Sequence, residues 1–221
     1  MGFFKTNRAE EAVKENTGGK YLTNSGIYDV HIIAPFVDVN DKGARTVNFF
    51  IEHAGQEQPL YGNLRLDNND GSPNFGADIF NKFLVVADVD EVEDPIEGEL
   101  PIGKGGDMKD VAILDSLTDL DVKIRVQMEY SVYKDNIQEK KVIKNFYRAE
   151  DGASAEEIVK GDEPGTQLEK DMKYADNVTY KDGLDEDQVK AWIEAKRPKG
   201  TAGSTATATK KPSFGKRKFG K

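Results

Sequence analysis

Residues 27–66, IYDVHIIAPFVDVNDKGARTVNFFIEHAGQEQPLYGNLRL, decide the fold. From Ile27 to Val39 the chain is rich in β-branched and aromatic residues. Val30, Ile32 and Ala34 alternate with Asp29, His31 and Ile33, the two-residue period of a strand. Asn40-Asp41-Lys42-Gly43 is a turn made of residues that bend the backbone at little cost. Arg45 to His53 is a second strand, residues 54–57 turn again, and Leu60 to Leu66 is a third.

Outward from this run the pattern changes. Asp67 to Pro73 ends the sheet. Phe75, Ile79, Phe83 and Val86 then recur at helical spacing and predict a helix over 75–86. Residues 88–107 are acidic, hold Pro and Gly, and are assigned no element. Val122, Ile124, Val126, Met128, Tyr130 and Val132 mark one face of a strand over 121–133. A strand over 137–148 returns after the hairpin turn Lys134-Asp135-Asn136. Upstream, residues 1–25 form a polar arm whose helix-compatible stretch, Arg8 to Glu15, is broken by Gly18-Gly19. Downstream, residues 151–199 read as a peripheral helical segment. Residues 200–209, GTAGSTATAT, have linker composition and open a basic tail predicted to be disordered through residue 221.

Three strands, a helix and two strands give a mainly β chain. They also follow the order of an OB-like Greek-key barrel, which binds oligonucleotides across strands two and three. Residues 26–150 are its expected extent. Strand order alone also fits a barrel of another topology, or a sandwich.

The 221 residues include no cysteine, so disulfides and thiolate metal sites are excluded. No apolar run approaches the roughly 20 residues that span a bilayer, and Met1-Gly2-Phe3-Phe4-Lys5 runs at once into charge, so neither a membrane partner nor a signal peptide is expected. The cytoplasm is the expected location. Net charge is −9, but unevenly spread: of 31 basic and 40 acidic residues, nine basic and no acidic ones lie in residues 196–221. Residues 1–195 therefore hold 22 basic and 40 acidic residues, a net of −18. Such polarity suits an acidic partner, or association of tail with body.

Strand parity nominates the contact residues. With Val47, Phe49, Ile51, Leu60, Leu64 and Leu66 facing inward, the outer face carries Phe50, Tyr61, Arg65, Lys123, Arg125 and Tyr133. Lys42, Arg45, Lys134, Lys140 and Lys141 extend it through the loops. Aromatic rings interleaved with cations suit single-stranded nucleic acid, because bases stack on rings while cations follow phosphates. The same parity fits rings that pack across strands or lie under another segment, and lysines that are solvated charge. In the tail, Lys210, Lys211, Phe214, Lys216, Arg217, Lys218, Phe219 and Lys221 hold a repeated Phe-Gly-Lys. This suits an arm for a protein partner better than an inert solvated end.

Enzyme signatures are weak. Gly98 to Lys104 matches G-x-x-x-x-G-K, but Gly105 stands where a P-loop needs Ser or Thr, and acids surround it. Asp67 to Gly71 resembles a calcium loop, yet the last ligand position falls on Ala77. His31 and His53 lie in predicted strands, outside any triad or metal motif. No cofactor, metal or catalytic residue is expected.

Residues 40–50, NDKGARTVNFF, residues 64–76, LRLDNNDGSPNFG, and residues 126–133, VQMEYSVY, resemble single-stranded DNA-binding proteins of tailed bacteriophages, especially podoviruses that carry a giant virion RNA polymerase. The likeness spans roughly residues 16–150. It implies sequence-independent single-stranded DNA binding in phage DNA replication and recombination. It also implies partners among phage replication proteins, and in some members activation of host RNA polymerase through a basic C-terminus. Common bacterial counterparts end instead in an acidic recruiting peptide. The alternative reading is an acidic virion or host-takeover interaction module that does not bind DNA.

Overall fold

The computed structural model describes residues 21–196. The Arg8–Glu15 stretch, the 200–209 linker and the basic tail with its two Phe-Gly-Lys units lie outside the described residues. The chain divides into two units, residues 1–184 and 185–221.

The first unit is mainly β. Its strands are β1 (Gly26–Val39), β2 (Arg45–His53), β3 (Gln56–Arg65), β4 (Ile96–Leu100), β5 (Lys109–Ile113), β6 (Leu120–Tyr133), β7 (Asn136–Arg148) and β8 (Thr179–Tyr180). Helix α1 (Phe75–Val86) joins β3 to β4. Helices α2 (Ala155–Lys160) and α3 (Thr166–Met172) precede β8. The four strands β3, β2, β1 and β5 are neighbours in that order, β4 adds to β5, and β6 pairs with β1, β7 and β8. All ladders are antiparallel except β6 with β8.

The long β1 holds this together by changing partners. On one side it pairs with β2 from His31 to Val39. On the other, Gly26–Ile32 pair with β6, and Phe36 and Val37 pair with β5. A bulge between Ile32 and Ala34 bends the strand at the changeover. Pro35 follows the bulge. Its carbonyl accepts from the Leu114 amide at 3.0 Å. In an antiparallel strand a residue's N–H and C=O share a side, so the missing donor of Pro35 faces the gap between β6 and β5, where the ladder needs none.

The turns fit their strands. Ala54-Gly55 and Lys134-Asp135 are two-residue connections with φ positive at both positions, the geometry that matches strand twist. The Asn74 side chain caps α1 by accepting from the Gly76 amide, and Ile79, Phe83 and Val86 enter the core. There the Phe83 ring lies 4.8 Å from Phe146 and 5.5 Å from Phe49. Each such ring contributes roughly 1.5–3 kcal/mol through burial. Phe75, expected on the same apolar stripe, is instead 69% exposed. It opens the first turn of the helix, beyond the core.

The acidic stretch given no element contains β4, and β5 follows just past it. Glu97, Glu99 and Asp110 point to solvent and mask the pattern. On the opposite side Leu100, Ile102, Val111 and Ile113 close over Ala34, Phe36 and Phe50 and form a second small core. The P-loop lookalike spans β4 and the loop toward β5, so it leads into a strand and not a helix.

After β7, α2 begins with a reciprocal box in which Ser154 and Glu157 cap each other's amides, and it ends at Gly161 with φ 67°. The second unit contains α4 (Glu186–Lys196), within the segment 151–199 expected to be helical. Asp185 and Gln188 exchange side-chain bonds to each other's amides at its start, and the Lys196 ammonium lies 3.7 Å from the centre of the Trp192 ring.

The outer strands β3 and β7 approach each other at Gly62. A Cβ built there lies 2.4 Å from Ile143 Cδ1. Gly62→Ala should therefore push β3 from β7 and lose about 1–3 kcal/mol. Ile143→Val, which removes the nearest atom, should recover part of that loss in thermal melts of the double variant.

Candidate nucleic-acid interface

The approach of β3 to β7 leaves a hollow of about 280 Å3 lined by Pro59, Tyr61, Glu139, Lys140 and Lys141. Tyr61 is 48% exposed, and its ring stands edge-on to Phe36 at 6.2 Å. Because Phe36 belongs to the second small core, the tyrosine rests on a rigid support while its outer face meets solvent. Burial raises the Tyr61 phenol above its usual value, and Asp38 adds to this. Burial lowers the Lys141 ammonium, against the pull of Glu139. Glu139 accepts from the Tyr130 hydroxyl at 3.1 Å. Burial, and secondarily Glu139, push that phenol up to about 12. Lys140 is exposed and enters no ion pair among the described residues. At the end of the β6–β7 hairpin, Tyr133 is 56% exposed with the Lys134 ammonium 5.2 Å above its ring.

The other nominated residues are placed differently. Phe50 has the expected outward parity, but it is 4% exposed because the β4–β5 hairpin covers it. It is a core residue and not a stacking platform. Arg45 forms a two-pronged pair with Asp67, at 2.6 and 2.9 Å. Arg65 donates to the Asp67 carbonyl at 2.8 Å and to Asn69 Oδ1 at 2.5 Å. Both arginines thus fasten the 67–74 loop to the sheet. Lys123 pairs with Asp29. Arg125 pairs with Asp171 at 2.7 Å, beneath α3. Lys42 is exposed at the β1–β2 turn, where Asn40 Oδ1 accepts from the amides of Lys42 and Ala44. The structure therefore gathers Tyr61, Lys140 and Lys141, places Tyr133 at the hairpin end and Lys42 at another turn, and assigns Arg45, Phe50, Arg65, Lys123 and Arg125 to structural contacts.

The lookalike motifs are similarly engaged. Asp70 accepts from the amide and hydroxyl of Ser72, so the 67–73 segment is a hydrogen-bonded turn. His31 contacts Asp121 at 2.9 Å and Asp119 at 3.1 Å, and His53 contacts the Asp29 carbonyl at 2.8 Å. Among the described residues no three His, Asp or Glu side chains gather to hold a metal, and no helix is long and apolar enough to cross a membrane. Phe75 and Met108 are exposed apolar side chains that strand parity had no means of nominating. The chain matches no family model and no curated protein.

The Arg45 guanidinium holds the Asp67 carboxyl down to about 2. A depressed carboxyl contributes stability above its unfolded pKa, near 4, and loses it as pH falls through the folded value. Arg45→Gln should therefore melt below wild type by a constant margin above about pH 5, with the margin shrinking as pH drops from about 4 toward 2. Thermal melts across that range check this. A gap that persists unchanged at pH 2 refutes the pairing.

Proposed function

We propose that the chain binds single-stranded nucleic acid without sequence preference, with the principal contacts in the hollow between β3 and β7. The observation that carries this is Tyr61, a supported and solvent-facing ring beside Lys140 and Lys141. A base stacks on such a ring while the lysines attract its phosphates. Tyr133 with Lys134 offers a second ring and cation on the same hairpin as Lys140.

The strand connections support an OB-type reading of the fold. β1 pairs with both β2 and β6, a helix separates β3 from β6, and β3 lies beside β7. In this reading β1, β2, β3, β6 and β7 are the five barrel strands, β4 and β5 are an inserted hairpin, and β8 is an addition. The setting we propose is the one the sequence resemblance implies: protection of single strands in phage replication and recombination in the host cytoplasm. Residues 210–221 then serve as an arm for a protein such as host RNA polymerase. No catalytic role is proposed.

One observation favours the second reading, an acidic interaction module. Beside β1, β4 and β5 lies a trough of about 660 Å3 bearing Asp38, Glu97, Glu99 and Asp110. Such a surface repels phosphates and attracts basic segments.

Fluorescence anisotropy with labelled oligo-dT, an equal-length duplex and an RNA strand separates the two. Oligo-dT should bind best, and Tyr61→Ala should weaken it by about 1–3 kcal/mol with little change in melting temperature. Lys140→Gln should lower the log–log salt slope by about one phosphate contact. Absence of single-strand binding at micromolar protein in low salt removes the first reading and leaves the second.

A further inference from the structure

Residues 166–184 form a strap along β6: α3 and the turn after it reach Arg125 and Gln127 on the outer face, and β8 pairs in parallel with the β6 edge. Their attachment is unusual in kind. In the strap only Asp171 is buried. The contacts to β6 and β7 are mostly polar. Asp171 takes the Arg125 guanidinium at 2.7 Å and the Tyr147 hydroxyl. The Tyr174 carbonyl accepts from Arg125, and the Asn177 carbonyl accepts from Gln127 at 3.3 Å. Lys181 pairs with Glu129, and its amide donates to the Tyr130 carbonyl at 2.8 Å. The Val132 amide donates to Asp182 at 2.9 Å, and the Tyr180 ring stacks on Tyr130. Apart from the buried Asp171 end, the strap is fastened by polar contacts that are exposed or half-buried, with little apolar burial, and such a segment opens at lower free energy than the core.

What it covers carries three cations, Lys82, Arg125 and Lys144, together with Glu156 and with Glu129, which pairs with Lys144. Under α3 a cavity of about 250 Å3 is lined by Lys82, Arg125, Lys144, Asn145, Gln167 and Asp171, among others. The buried Arg125 Nε meets no acceptor among the described residues. The guanidinium is thus only partly satisfied by the carboxylate it holds. A phosphate offers acceptors on several sides and suits a planar fork of donors better. The covered face meets the proposed groove at Lys140, while Lys141 and Glu139 lie opposite Met128 and Tyr130 on the other face. Lys140 lies opposite Glu129 in the β6–β7 ladder, so the two share a face, and alternation carries that face on through Gln127 to Arg125.

We propose that the outer face of β6 and β7, from Lys140 to Arg125, is a second stretch of the nucleic-acid path. The 166–184 strap occupies it exchangeably, with the Asp171 carboxylate standing where a phosphate belongs. This rests on the single-strand reading above. A short strand uses only the Tyr61 hollow. A longer one displaces the strap and gains Arg125, with Lys82 and Lys144 close by.

Hydrogen exchange of the full chain, with and without saturating oligo-dT, tests this. The Lys181 and Val132 amides should exchange about tenfold faster or more when a long oligo-dT is bound, while β2 amides do not change. Asp171→Asn keeps the shape and removes the charge. It should tighten long oligo-dT by about 3–10-fold and leave a short one unaffected. Asp182→Asn loosens the far end without touching Arg125 and should act in the same direction. That variant and the wild-type exchange decide the matter if Asp171→Asn melts early. Tight oligo-dT binding with the strap amides fully protected overturns the strap proposal alone, as does weaker long-strand binding by Asp182→Asn. Failure of every form to bind oligo-dT overturns both the strap and the single-strand reading.

Discussion

The structure depends on one strand serving three neighbours. β1 is long enough to lie beside β2 for most of its length while its other side is divided between β6 and β5. A straight strand with a full set of donors would favour a single partner along that side. The bulge after Ile32 and the absent N–H of Pro35 break the row at the point where the partner changes. The β4–β5 hairpin can then be added over the outer face without competing with β6. Its position fixes the buried state of Phe50, the support under Phe36, and so the orientation of Tyr61.

Cations in an acidic chain are drawn into structure. Arg45 and Arg65 hold the 67–74 loop, Lys123 meets Asp29, and Lys144 meets a buried Glu129 at 2.8 Å. Lysine and arginine stems cover apolar surface as their heads find carboxylates, so an outward cation on a strand is a weak indicator of a ligand. Lys140 and Lys42, which enter no such pair among the described residues, are better ones.

The strands within residues 27–66 and 121–148 were legible because each buries one face and alternation survives in the sequence. The helix over 75–86 was legible from its spacing, though Phe75 was assigned to the core when it lies above it. The β4–β5 hairpin was not legible. Its strands have five residues each, Gly98 interrupts β4, and its solvent face is crowded with acids. The candidate site was half legible. Parity nominated Tyr61 and Tyr133 as exposed rings, and Lys140 was read as a loop cation where it lies within β7, but parity has no access to partners far along the chain. Asp171 lies 46 residues from Arg125, and the hairpin that covers Phe50 begins 46 residues beyond it. Contacts of that range are set by packing, which local periodicity does not encode.

The pairing of Gly26 with Val126 has a consequence for synthesis on the ribosome. At about 5–20 residues per second, β6 emerges roughly 5–20 s after β1. During that interval β1 and β2 form an open, strongly apolar hairpin whose free edge is suited to pairing with another nascent chain. High expression, which crowds nascent chains together, therefore favours inclusion bodies built from residues 26–65, and a lower density of nascent chains leaves each to pair with its own β6.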